Sequence, residues 1–173
     1  RSSDLSSTDV ARLFIPIYDA LQAIHDAGIV HRDLKLATIL MKEDSPIVTD
    51  FGLSRLIGST SITAKGTIMG SLDYMSPEQA RGKTADQRSD LYATGAMMWR
   101  MIFRKSLYAS TSPLIQLRRI IRDPIPSDIE ILPPTFQYIL SKLLSKVPGM
   151  RFKHARDRNS TRLNSSHRIR TRM

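Results

Sequence analysis

Near the start of the chain, hydrophobic residues recur at the three-and-four spacing of a helix. Val10, Leu13, Phe14, Ile17, Leu21 and Ile24 fall on one face of a segment running from Asp9 to Ala27. The preceding SSTD offers Ser6 as a cap with Asp9 three positions on, and Gly28 supplies a stop. Pro16 has no N–H to give the helix, so a kink is predicted there. Two β-branched runs, Ile29-Val30 and Ile47-Val48-Thr49, bounded by polar turn residues, predict short strands flanking a loop. From Leu53 to Ser71 the chain is rich in Gly, Ser and Thr without periodicity, which predicts a long loop, and long ordered loops are usually functional. Leu91 to Phe103 is apolar nearly all round, as in a central buried helix. Leu114 to Ile121 and Phe136 to Leu144 predict shorter amphipathic helices joined by the Pro-rich DPIPSDIEILPP. No internal repeat is present, and the pattern as a whole predicts a mainly α domain with a few short strands.

Composition narrows the chemistry. A chain of 173 residues, 41% hydrophobic and 24% charged, is ordinary for one globular core. The absence of cysteine excludes a disulfide framework, thiolate zinc sites and a cysteine nucleophile, and it fits a cytoplasmic protein. Any chemistry must come from Asp, Lys, His, Ser and Thr. The longest helix-like uncharged stretch, Leu91 to Trp99, is closed by Arg100 and is about half a membrane span, so no transmembrane segment is expected. RSSDLSSTD opens on Arg1 without an apolar signal core and reads as a cut start.

The net charge of +10 would suggest a nucleic-acid partner, but its distribution argues otherwise. DRNSTRLNSSHRIRTRM, from Asp157 to Met173, holds five Arg against one Asp and reads as a disordered basic extension. Its first eleven residues closely resemble the translation of a common short-read sequencing adapter, differing only at Asn159. The expected division is therefore a folded unit over 1–156 and a tail over 157–173 that carries none of the function. Without the tail, no aromatic-lined basic groove supports nucleic-acid binding.

Three short motifs then follow in order: HRDLK at 31–35, TDFG at 49–52 and SPE at 76–78. Each alone is weak, but the series with a long loop between the second and third matches the HRD, DFG and APE set of kinases. The chain resembles the C-terminal lobe of the protein kinase family from about Leu5 to Phe152. It is most similar to bacterial serine/threonine kinases, through GIVHRDLK, GSLDYMSPEQARG, RSDLYATG and LLSKVPGMRF. The resemblance implies a kinase-like C-terminal lobe, a helical bundle with short strands around the catalytic loop. It implies ATP and Mg2+ as cofactors and a protein substrate bearing Ser or Thr hydroxyls.

Residue by residue, the resemblance makes Asp33 the group that orients the substrate hydroxyl and accepts its proton. Lys35 becomes the cation that steadies charge on the transferred phosphate, and Asp50 the ligand of a magnesium ion bridging the nucleotide phosphates. His31 and Phe51, beside Gly52, become packing residues. Arg32 becomes a partner for a phosphate on the loop, with Ser61, Thr63 and Thr67 as candidate acceptors and Ser71 contacting the loop near Asp33. Glu78 and Arg151 become a buried ion pair, and Asp90 a clamp on the catalytic-loop backbone.

Two positions depart from the family pattern. Thr38 stands where an Asn would ligate magnesium, and a hydroxyl is a shorter and poorer ligand for a hard cation. Leu36 stands where a Pro would fix a backbone dihedral. No glycine-rich phosphate cradle, V-A-I-K lysine or partner Glu precedes Leu5, so the N-terminal lobe is expected to be missing and the chain by itself inactive. Two readings follow: a stretch of an active serine/threonine kinase, or a pseudokinase that binds and regulates without transferring phosphate.

Overall fold

The computed structural model describes residues 7–43, 45–51 and 72–160. Helix α1, Ser7–Asp26, runs unbroken through Pro16. Val10, Phe14, Ile17, Tyr18 and Leu21 are buried, while Leu13 and Ile24 pack against the same core from its margin. Tyr18, buried with them, pairs its hydroxyl with Thr94 Oγ1 at 2.9 Å, so the helix also has a polar attachment. Gly28 closes α1 with φ +75, a conformation that costs glycine little. The expected cap, Ser6, lies outside the described residues.

Ile29 and Val30 do not form the predicted strand. The Ile29 amide donates back to the Ile24 carbonyl at 2.9 Å, and the His31 amide, two residues on, goes to Asp90. Backbone groups committed to a helix end and a carboxylate are not free for a ladder. The sheet is instead one antiparallel hairpin, β1 Ile39–Lys42 with β2 Ser45–Val48, in which Ile39 faces Val48 and Leu40 faces Ile47. Thr49 falls just past the assigned strand, yet its amide still donates to the Thr38 carbonyl at 2.9 Å. β2 packs on α1.

The second half is helical. Short α2, Pro77–Ala80, is opened by a reciprocal cap in which Ser76 and Gln79 exchange hydrogen bonds. Helix α3, Gln87–Phe103, starts at the Asp86 cap and is buried without interruption from Ser89 to Trp99, as its all-round apolar sequence predicts. Helix α4 is Pro113–Arg122, and α5, Pro134–Leu143, packs across α3 where Gly95 lets the backbones approach. The Pro-rich connector between α4 and α5 contains a turn of 3-10 helix over Ser127–Ile131.

Helix α6, Ala155–Ser160, packs on α1, with the Arg156 amide on Gln22 Oε1 at 3.1 Å and its guanidinium on Asp26 at 2.8 Å. Asp157 accepts from the His154 amide at 3.0 Å. The residues from 157 to 160, expected to begin a disordered tail, are therefore helical; those from 161 lie outside the described residues. No described helix is long and apolar enough to cross a membrane.

Candidate active site

The loop from His31 to Thr38 leaves α1 and enters β1, and its shape is imposed from α3. Asp90, in the first turn of α3 and buried, accepts the His31 amide on Oδ2 at 2.9 Å and the Arg32 amide on Oδ1 at 2.8 Å. Its Oδ2 also lies 2.8 Å from His25 Nε2. Arg32 takes φ +69, a left-handed conformation costing a non-glycine residue about 1–2 kcal/mol, so such a clamp is what holds it. Gln79 adds a second hold from α2, donating Nε2 to the Arg32 carbonyl at 2.7 Å.

This leaves Asp33 projecting outward. Its side chain is 47% exposed, and Lys35 Nζ meets Oδ2 at 2.6 Å. His31 is buried, and Nε2 donates to the Thr49 carbonyl at 2.8 Å, a partner that places a proton on that nitrogen. Phe51 lies edge-on to the His31 ring with centroids 5.5 Å apart, though its own side remains 41% exposed. Asp50, next to Phe51 in the chain, is exposed and adopts φ +64. The loop and the hairpin end are thus tied together by Thr38–Thr49–His31, with Thr49 donating both its amide and Oγ1 to the Thr38 carbonyl.

Thr38 is only 2% exposed. Its hydroxyl donates to the Lys35 carbonyl at 2.8 Å and accepts from the Lys35 amide at 3.1 Å, closing the 3-10 turn Leu36–Thr38. An oxygen so engaged does not fit a magnesium ligand. Asp50, which is exposed to solvent, is compatible with that role. Among the described residues no three His, Asp or Glu side chains converge as a metal site. One carboxylate with phosphate oxygens and water is nonetheless a donor set that magnesium accepts at nucleotides.

The sequence matches the protein kinase domain family over residues 1–160. The chain is a member of that family. It is 38% identical over 157 residues to the probable serine/threonine-protein kinase PknB of Corynebacterium glutamicum, covering 85% of this chain and 24% of that protein. It is 34% identical over 151 residues to the serine/threonine-protein kinase PknL of Mycobacterium tuberculosis, with 84% and 38% covered. A similar match, 34% over 151 residues, is to the serine/threonine-protein kinase PknB of Mycolicibacterium smegmatis, with 80% and 24% covered. The chain spans about a quarter to two-fifths of the length of these relatives. The described residues, mostly helical with one two-stranded sheet among them, are compatible with a kinase-like fold.

Elsewhere in this kinase-family chain Glu78 and Arg151 meet in a bidentate pair, Nη1 to Oε1 at 2.6 Å and Nη2 to Oε2 at 2.7 Å. Ser89 Oγ donates to the same Oε1, and Arg151 also reaches the carbonyls of Arg88 and Ser145. Burial pushes the Glu78 carboxyl up, but the bonds from Arg151 and Ser89 and the charge of Arg151 outweigh it and hold the carboxyl down at about 2. Arg32 Nε is buried without a partner among the described residues. Gly52, Ser61, Thr63, Thr67 and Ser71 lie outside the described residues.

Three residues that matter here escape the motif reading. Gln79 is legible in hindsight, since S-P-E-Q is a Ser-x-x-Gln capping box. His25 carries no sequence signal, and Thr49, though it opens TDFG, gives no sign of its bonds to His31 and Thr38, because these partners are set by tertiary packing.

Proposed function

We propose that the chain is the C-terminal lobe of a serine/threonine protein kinase, and that the longer protein moves the γ-phosphoryl group of ATP to Ser or Thr hydroxyls of protein substrates. The observation that carries the reading is the loop: an exposed Asp33 paired with Lys35 at 2.6 Å, on a backbone gripped through two amides by Asp90. Asp33 orients the substrate hydroxyl and takes its proton on Oδ1, the oxygen that Lys35 leaves open. Lys35 faces the same space and offsets negative charge as it develops. Asp50 is the side chain that would hold a magnesium ion, which would offset the negative charge of the ATP phosphates. His31, Phe51 and Asp90 position the loop. Arg32 awaits an anionic partner, with Ser61, Thr63 and Thr67 as candidate phosphate acceptors. The activity is placed in the cytoplasm, where ATP is supplied, and the basic tail takes no part in it.

These 173 residues contain no glycine-rich phosphate cradle, so the chain on its own is expected to incorporate no phosphate. The full-length protein should phosphorylate Ser or Thr in a magnesium-dependent reaction and lose at least about a hundredfold in rate on Asp33→Asn. Undiminished activity in that variant would remove Asp33 from the mechanism. One observation favours a pseudokinase as the second reading: the Thr38 hydroxyl is turned inward onto Lys35. A full-length protein that binds its partners but transfers no phosphate decides for it.

A further inference from the structure

The end of α1 and the first turn of α3 flank a cleft of about 330 Å³. One water takes up about 30 Å³ of liquid, so this is no single-water hole, and it falls at the lower end of the range of small-molecule sites. Gly28, Ile29 and Val30 form an uncharged side, with Ile29 44% exposed, and His25, Asp86 and Arg88 form a polar one. The His25 side chain is 1% exposed, and its Nε2 lies 2.8 Å from Asp90 Oδ2. A carboxylate only accepts, so Nε2 carries the proton of the neutral ring and Nδ1 presents a lone pair. Nδ1, on the other edge of the ring from that bond, is buried and has no hydrogen-bond partner among the described residues. The Arg88 guanidinium has none either. Only the Arg88 backbone is engaged, its amide donating to Asp86 Oδ1 at 2.8 Å and its carbonyl accepting from Arg151 Nη1 at 2.9 Å.

A buried acceptor that lacks a donor calls for an explanation, and here it shares a cleft with a guanidinium that lacks an acid. We propose that the cleft binds a small hydroxylated organic acid, with its carboxylate on Arg88, its hydroxyl donating to His25 Nδ1 and its carbon body against Ile29 and Val30. A guanidinium matches a carboxylate through two parallel N–H bonds. Asp86 does not cancel Arg88, because its Oδ1 takes the Arg88 amide and its charge is offset by the positive end of the 17-residue α3. Water alone would satisfy Nδ1 but would leave Arg88 without a counter-charge, and inorganic phosphate would leave Ile29 uncovered. The cleft is also linked to the loop. Asp90 Oδ2, which faces His25, is the same oxygen that accepts the His31 amide at 2.9 Å. An occupant would thus stand one imidazole ring and one carboxylate away from the backbone that carries Asp33. The proposal concerns binding and stands whether or not the longer protein transfers phosphate.

Titration of the nitrogen-15-labelled chain with 3-hydroxybenzoate and 4-hydroxybenzoate, followed by amide chemical shifts, tests it. The two isomers hold hydroxyl and carboxylate at different spans. At least one should bind with a Kd of about 1 mM or tighter, moving the amides of Gly28, Ile29, His31 and the first turn of α3. Benzoate, which lacks the hydroxyl, and the matching hydroxybenzamide, which lacks the charge, should each bind about fivefold or more weakly. Arg88→Gln, and separately Ile29→Ser, should each weaken binding about fivefold or more with unchanged melting curves. Arg12→Glu, an exposed change on α1, should leave it intact. No shift with either isomer up to about 20 mM, equal binding of benzoate, unchanged binding in both cleft variants, or shifts centred on the β1–β2 hairpin each overturns the proposal.

Discussion

Removing the Arg151 guanidinium is the sharpest test of how this chain is held together. In Arg151→Ala the Glu78 carboxylate keeps only Ser89 as a side-chain donor, while the carbonyls of Arg88 and Ser145 lose theirs. Both partners of the pair are buried, so the variant strands a charge away from water, a loss of about 3–5 kcal/mol. Linkage gives an independent figure. The Glu78 carboxyl stands at about 2 in the folded chain against an ordinary 4.5, and a shift of that size corresponds to roughly 3 kcal/mol. Because the folded value is depressed, this stability is fully present above about pH 4.5 and is lost as pH falls toward 2. Thermal melts at pH 7 should therefore show Arg151→Ala lower by about 6–20 °C. Between pH 5 and 3 the unaltered chain should lose stability more steeply than the double variant Glu78→Gln with Arg151→Met, which removes both charges together. A melting temperature for Arg151→Ala within about 2 °C of the unaltered chain, equivalent to at most about 1 kcal/mol, would refute the reasoning.

Two further outcomes follow from packing and burial. A Cβ at Gly95 would stand 2.8 Å from Leu143 Cβ and 3.0 Å from Leu144 Cδ2, so Gly95→Ala should destabilise by about 1–2 kcal/mol in urea titration despite the better helix propensity of Ala. Burial holds the Lys146 amine down at about 8, with Asp123 opposing and Arg81 and Arg151 adding to the shift. An amine depressed in the fold stabilises the chain as pH rises through 8 toward its unfolded value, so urea midpoints should climb from pH 7.5 to 9.5, and Lys146→Gln should flatten that climb.

What the sequence made visible was what depends on periodicity or on a short contiguous motif. α1, α4 and α5 follow from the spacing of residues such as Phe14, Ile120 and Leu140, whose burial is a property of one helix face, and α3 from its all-round apolar sequence. The order of the three motifs located the loop around Asp33. What stayed hidden depends on distant partners. Ile29 and Val30 have strand-like side chains, but their neighbourhood gives its amides to Ile24 and Asp90, and no local pattern reports that. The 3-10 turn at Ser127–Ile131 hid inside a stretch whose prolines read only as connector. His25 occupies a helix end as any residue could, and becomes part of the site only because Asp90 arrives from sixty-five positions away.

Thr38 shows most clearly why shape and chemistry must be argued separately in this chain. The loop keeps its geometry through atoms that the substitution leaves in place: the carboxylate of Asp90, the carboxamide of Gln79, and the carbonyl of Thr38 itself, which holds Thr49. The hydroxyl even adds to that geometry, since it is short enough to close on both the amide and the carbonyl of Lys35. A longer carboxamide reaching outward would be open to a ligand, whereas this hydroxyl spends both its donor and its acceptor role inside the turn. Under the proposed kinase reading, Thr38 would cost the site a metal ligand while leaving the turn closed. An intact backbone around Asp33 is for that reason support for the kinase architecture, and the presence or absence of phosphoryl transfer has to be read from Asp33, Lys35 and Asp50 rather than from the shape of the loop.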